Sequence, residues 1–136
     1  MPFVADASVA ASWLLPDEAD PRADAAYALF PDDSAVAPGL WWLEIRNIFL
    51  VSERRGRFDG AQTDRALALL AALPISLDHA ANEATLMMLA RRHKLTACDA
   101  AYLELAQRRG ISLATLDETL ARAARAEGVR LIGEDA

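Results

Sequence analysis

A chain of 136 residues, 54% of them hydrophobic, is the length of one domain with ample material for a core. A net charge of −6 has the wrong sign for gripping phosphates by bulk attraction, and two histidines with the single Cys98 exclude an internal disulfide and a Cys/His zinc site. No charged leader precedes an apolar run, and no apolar stretch is long enough to span a bilayer, so a cytoplasmic protein with no membrane role is expected.

Short apolar runs alternate with longer segments of helical period, which predicts a parallel sheet covered by helices. In chain order, a strand at 2–5 leads to helices at 8–15 and 21–30. A strand at 35–37 precedes helices at 40–55 and 59–72. A strand at 75–77 precedes helices at 80–93 and 99–109, and a strand at 111–116 precedes a helix at 117–127. A fifth strand is expected at 129–132. Pro16, Pro31, Pro38, Gly56, Pro74, Gly110 and Gly128 fall at the required breaks. With no repeat, low-complexity tract or linker, residues 1–136 read as one α/β domain.

In such a sheet the C-terminal ends of the strands and the N-terminal ends of the following helices share one edge, where ligands bind. Asp6 follows the first strand directly and Asp117 follows the fourth, while Glu44 lies in the first turns of the helix after the second strand. The helix that begins at Asp99 returns through Gly110 into the fourth strand, so it runs antiparallel to that strand and starts at the same edge. Four acids from distant sequence are therefore expected to converge.

Each acid taken singly has a plainer explanation. Asp6 and Asp117 suit helix N-caps, and Thr96 with Asp99 resembles a capping box. Glu44 fits that account less well, because its helical neighbours Leu40, Trp41, Asn47 and Ile48 form a mostly apolar stripe; the alternative places it at the margin of that stripe, reaching for water. Together the four favour chemistry. Crowded carboxylates raise one another's pKa and destabilise the fold unless cations neutralise them, and Mg2+ or Mn2+ prefer carboxylate and water oxygens. With four carboxylates assigned to such a site, the remaining charge falls from −6 to −2. Ser8, Asn47 and Thr115 lie at spacings that let them brace a carboxylate or a bound water; taken singly, turn residue, surface amide and strand former explain them better, and only the set is informative. Thirteen of the 14 cationic residues are arginine, which suits forked phosphate contact and also matches a simple compositional bias.

DAS at 6–8, LEIRN at 43–47, CDAAYLELA at 98–106 and LATLDETLARAARAEGV at 113–129 resemble the PIN-domain ribonucleases, and more narrowly the VapC-like toxins of type II toxin-antitoxin pairs. The resemblance spans essentially the whole chain and retains the order Asp, Glu, Asp, Asp. It implies a three-layer α/β/α fold around a mostly parallel sheet of about five strands, with a Mg2+ or Mn2+ site that hydrolyses RNA phosphodiester bonds. Asp6, Glu44, Asp99 and Asp117 match its acidic positions and Thr115 its hydroxyl position. On that basis Asp6, Asp99 and Asp117 are expected to hold a principal metal and Glu44 to help recruit a second. A cognate antitoxin, laid along an apolar groove and sending an arginine into the acids, and a homodimer are the implied partners. Cys98, Arg46 and the Trp41–Trp42 pair depart from the usual pattern without removing a ligand.

Two rivals follow from the same residues. A magnesium phosphatase of the haloacid dehalogenase type needs an aspartate two residues after Asp6, where Ser8 stands, and a lysine at the site, where only Lys94 is available. A non-catalytic binding module would use the acids as caps alone. Trp13, Trp41, Trp42 and Tyr102 suit base stacking or core packing, and the run ERRGR at 53–57 suits phosphate contact or a solvated helix end. The stripes Trp13 with Leu14 and Trp42 with Phe49 suit partner surfaces.

Overall fold

The computed structural model describes residues 1–134, so the last two residues of the expected domain lie outside the described ones. β1 (Phe3–Ala5), β2 (Ala35–Pro38), β3 (Ile75–Asp78) and β4 (Leu113–Ala114) form one sheet in the order β3-β2-β1-β4. Every neighbouring pair is parallel: Phe3 stands opposite Ala35, Val4 opposite Leu113 and Pro38 opposite Asp78. Parallel neighbours need long crossovers, and helices supply them. After β1 come α1 (Ala7–Leu14) and α2 (Pro21–Tyr27), and after β2 come α3 (Trp41–Arg54) and α4 (Gly60–Ala72). α5 (Glu83–His93) and α6 (Ala97–Arg109) follow β3, and α7 (Glu118–Ala126) follows β4.

The two-residue period of a strand divides the core between two faces. Phe3, Ala5, Ala35 and Ala114 join a smaller cluster with Ala23 and Ala26 of α2, whose small side chains let that helix lie close to the sheet. Val4, Val36 and Leu113 join a larger cluster with Ile45 and Phe49 of α3 and Leu103 and Leu105 of α6. Helices therefore cover both faces, giving the expected three-layer α/β/α fold.

The sheet has four strands where five are expected. The segment 129–132 contributes a single parallel bridge, Leu131 to Leu113, held by Leu113 N–H to the Arg130 carbonyl and Ile132 N–H to the Leu113 carbonyl. It has little to pair with, because β4 spans two residues instead of the expected six. The amides just past β4 are taken by side chains: Leu116 N–H donates to Ser8 Oγ and Asp117 N–H to Thr115 Oγ1. Those same bonds build the site.

Helix starts also shift. α5 begins at Glu83, not residue 80, because Asn82 caps it by accepting from Thr85 N–H at 2.9 Å. α6 begins at Ala97 behind an N-cap at Thr96, which accepts from Asp99 N–H at 3.1 Å. Asp99 is thus the third residue of the helix, with its carboxylate free of capping duty.

Candidate functional site

Each acid is set by local structure. Asp6 leaves β1 in an extended conformation and caps α1, accepting from Val9 N–H at 3.0 Å. The same oxygen accepts from Ser8 Oγ at 2.6 Å, and the other accepts from the Thr115 hydroxyl. Asp117 caps α7 by accepting from Leu120 N–H at 3.1 Å. Thr115 links the two acids, since it donates to Asp6 and accepts from the Asp117 amide at 3.0 Å. The capping account of Asp6 and Asp117 is therefore correct, and it coexists with their convergence. Glu44, in the first turn of α3, accepts from Tyr102 Oη at 2.5 Å. Asp99 and Tyr102 lie one turn apart on α6.

One cleft of about 360 Å³ is lined by Asp6, Ala7, Ser8, Glu44, Asn47, Ile48, Asp99, Tyr102 and Asp117. All four predicted acids meet there, with Ser8 and Asn47. Thr115 is buried beneath, bound to Asp6. No basic side chain lines the cleft, and among the described residues none of the four acids makes an ion pair.

The electrostatics follow. Burial pushes the Asp6 carboxyl above its ordinary range and the charge of Asp117 adds to this, against the hydrogen bonds from Ser8, Thr115 and Val9. Burial likewise raises Glu44, reinforced by Asp99 and Asp6 and opposed by the Tyr102 hydroxyl. Burial and then Asp117 raise Asp99, against a hydrogen bond with Thr96. Removal from water and mutual repulsion act in the same direction, and no protein cation relieves either.

The donor set fits a hard divalent cation. It is all carboxylate, hydroxyl and amide oxygen, with an excess of negative charge unbalanced by arginine or lysine. Among the described residues no three acids, histidines or cysteines form a ready-made ligand cage. Both Asp6 oxygens and one oxygen each of Glu44 and Asp117 already accept protein hydrogen bonds.

Other predicted features divide. Trp41 and Tyr102 are buried, so neither offers a face for stacking. Trp13 is half-buried, donates its indole N–H to the Ala23 carbonyl at 2.8 Å and meets Tyr27 and Phe30 edge-on. Trp42 is exposed, with the Arg46 guanidinium 3.5 Å from its ring centroid, and does not line the cleft. In the run 53–57, Arg57 pairs with Asp17 and Glu18, and Glu53 accepts from the Thr63 hydroxyl. Cys98 is exposed beside Asp99 but outside the cleft lining. The feature the sequence reading missed is the hydroxyl of Tyr102, whose place three residues after Asp99 was the available signal.

No helix of the described residues is long and apolar enough to cross a membrane. No curated protein matches the chain. Among solved structures it is similar to PAE2754 from Pyrobaculum aerophilum, at 22% identity and a TM-score of 0.69, over 96% of this chain and 92% of that one. It is also similar to VapC20 (Rv2549c) of Mycobacterium tuberculosis, a sarcin-ricin loop cleaving toxin, at 15% identity and a TM-score of 0.57, over 89% of this chain and 94% of that one. At such identities these likenesses speak to the fold. The model of the PIN domain matches residues 3–126, and the chain belongs to the PIN domain family.

Proposed function

We propose that this protein is a Mg2+- or Mn2+-dependent ribonuclease that hydrolyses phosphodiester bonds, and the toxin of a toxin-antitoxin pair. The observation that carries the reading is four carboxylates from four separate elements lining one cleft with no basic side chain among them. Asp6, Asp99 and Asp117 would hold a principal cation and Glu44 would help hold a second. Such ions, when bound, lower the pKa of a coordinated water and stabilise charge on the attacking and leaving oxygens. The chain's own residues do the positioning. Ser8 and Thr115 fix both oxygens of Asp6, Thr115 also fixes the Asp117 amide, and Asn47 offers an amide at the rim. With no histidine in the cleft, this reading assigns no histidine base.

The likeness to a VapC toxin and the PIN family supports RNA as substrate and a cognate antitoxin as partner. The apolar groove walled by Trp13, Leu14 and Leu69 suits an antitoxin peptide, and the exposed Leu43, Leu50 and Val51 of α3 suit a homodimer contact. A single domain over the whole chain and a cytoplasmic location belong to the same reading. The carboxylates' lack of a ready-made cage favours one alternative, a non-catalytic protein- or RNA-binding PIN-like module. Incubating the purified protein with total RNA and manganese, with and without chelator, separates the two. Cleavage that chelator abolishes supports the nuclease; intact RNA at saturating manganese refutes it. Asp99→Asn is expected to lower cleavage at least about a hundredfold with the fold retained, since a metal-held nucleophile is lost.

A further inference from the structure

Tyr102 is almost wholly buried within the larger apolar cluster, at 2% exposure, so its ring has one place to be. Glu44 is its opposite: a long side chain, half-buried, near the start of α3. The phenolic oxygen of Tyr102 lies 2.5 Å from Glu44 Oε1 and donates its proton there, joining α6 to α3 across the acidic cleft. Among the described residues the Glu44 carboxylate has no other hydrogen-bond partner. The remaining acids are supported otherwise: Asp6 by Ser8 and Val9 nearby and by the Thr115 hydroxyl from beyond another strand, Asp117 by the Leu120 amide and Asp99 by Thr96. Only the support for Glu44 is a rigid aromatic hydroxyl from another element.

We infer that Tyr102 is a positioning residue that holds the Glu44 carboxylate in the cleft, leaving Oε2 for a divalent cation. It stands in the same relation to Glu44 as Thr115 does to Asp6. This inference rests on the nuclease reading of the cleft. A phenol is protonated at neutral pH, so toward a carboxylate its hydroxyl acts as the donor. A flexible carboxylate held by a fixed donor loses little further freedom when it takes up a cation, the general advantage of preorganisation. Tyr102 also lies one turn from Asp99, so a single face of α6 supplies one acid directly and controls another through its hydroxyl.

Manganese titration of wild-type and Tyr102→Phe protein by calorimetry tests the role, because the substitution keeps the ring and removes only the hydroxyl. Affinity is expected to fall about tenfold, the scale of one charge-assisted hydrogen bond. Half-saturating manganese in the cleavage assay should rise equally while KM for RNA at saturating manganese stays put. Unchanged manganese affinity, or a matching rise in KM for RNA, overturns the role. The chain has two tyrosines, so Tyr27→Phe leaves Tyr102 as the only one, and its Raman ring doublet reports whether the hydroxyl is a strong donor without disturbing it. A donor signature supports the role, and its absence overturns it even if Tyr102→Phe fails to fold. Wild-type protein that neither binds manganese nor cuts RNA brings down the nuclease reading as a whole. Wild-type protein that does both, matched by Tyr102→Phe, overturns the role of Tyr102 alone.

Discussion

Thr115 shows how much one hydroxyl can organise. It donates to the buried Asp6 and accepts from the amide of Asp117, so it fixes two acids that are 111 positions apart in the chain. Thr115→Val keeps the shape and strands one oxygen of a carboxylate that is 5% exposed. The loss should destabilise the fold by about 1–3 kcal/mol, read as a lower urea midpoint, whereas Thr115→Ser should retain most of it. Equal midpoints for wild type and Thr115→Val would mean that the hydroxyl carries nothing. The sequence spacing, two residues before Asp117 on a strand, already placed Thr115 on the same face. It could not show that the bond partner would be Asp6, from another strand.

Among the elements, α6 supplies both Asp99 and Tyr102 to the cleft and is bounded by its own chemistry. Thr96 caps its start, and its end turns through Gly110 at φ 64°, whose N–H reaches the carbonyls of Ala106 and Gln107. A Cβ at Gly110 would meet nothing within 4 Å, so Gly110→Ala tests backbone conformation alone. A cost of about 1–2 kcal/mol is expected from the left-handed conformation, visible in the thermal midpoint. No change would show that the turn relaxes into another conformation. The Gly110 break was plain in the sequence, and with it the antiparallel return that brings Asp99 to the edge. The shortening of β4 was not, because it depends on hydroxyls of Ser8 and Thr115 capturing amides that would otherwise extend the ladder.

At the scale of the molecule, two sets of carboxyls respond to pH in opposite senses. Asp78 is held far below its ordinary value, first by Arg108, and Glu127 is brought down to about 2, first by His93 and then by Arg92. A lowered folded pKa contributes stability that is present above the unfolded value, 4.5 for Glu127, and is lost as pH falls through the folded one. Asp6, Glu44 and Asp99 are raised, so the folded state holds their protons longer. Their contribution is greatest at low pH and is lost as pH rises through the raised values. The urea midpoint of metal-free protein should therefore decline as pH rises through the raised values of these three acids, with manganese cancelling that decline because deprotonated carboxylates bind the ion. Glu127→Gln should flatten the acid limb only. A manganese-insensitive alkaline limb would mean the raised acids do not meet a cation together.

By itself the sequence determined the alternation of strands and helices, the breaks between them and the edge toward which Asp6, Glu44, Asp99 and Asp117 tend. Periodicity and chain direction are local properties, and both are legible in order along a chain. Tertiary structure decided which groups touch. It gave Glu44 a phenol from α6, and it reduced the fifth strand to one bridge. It also buried Glu104 of α6 against Arg108 and the Asn82 amide. Hydrogen bonds between residues tens of positions apart depend on angles and distances that no spacing encodes, and in this protein those bonds hold the acids in place.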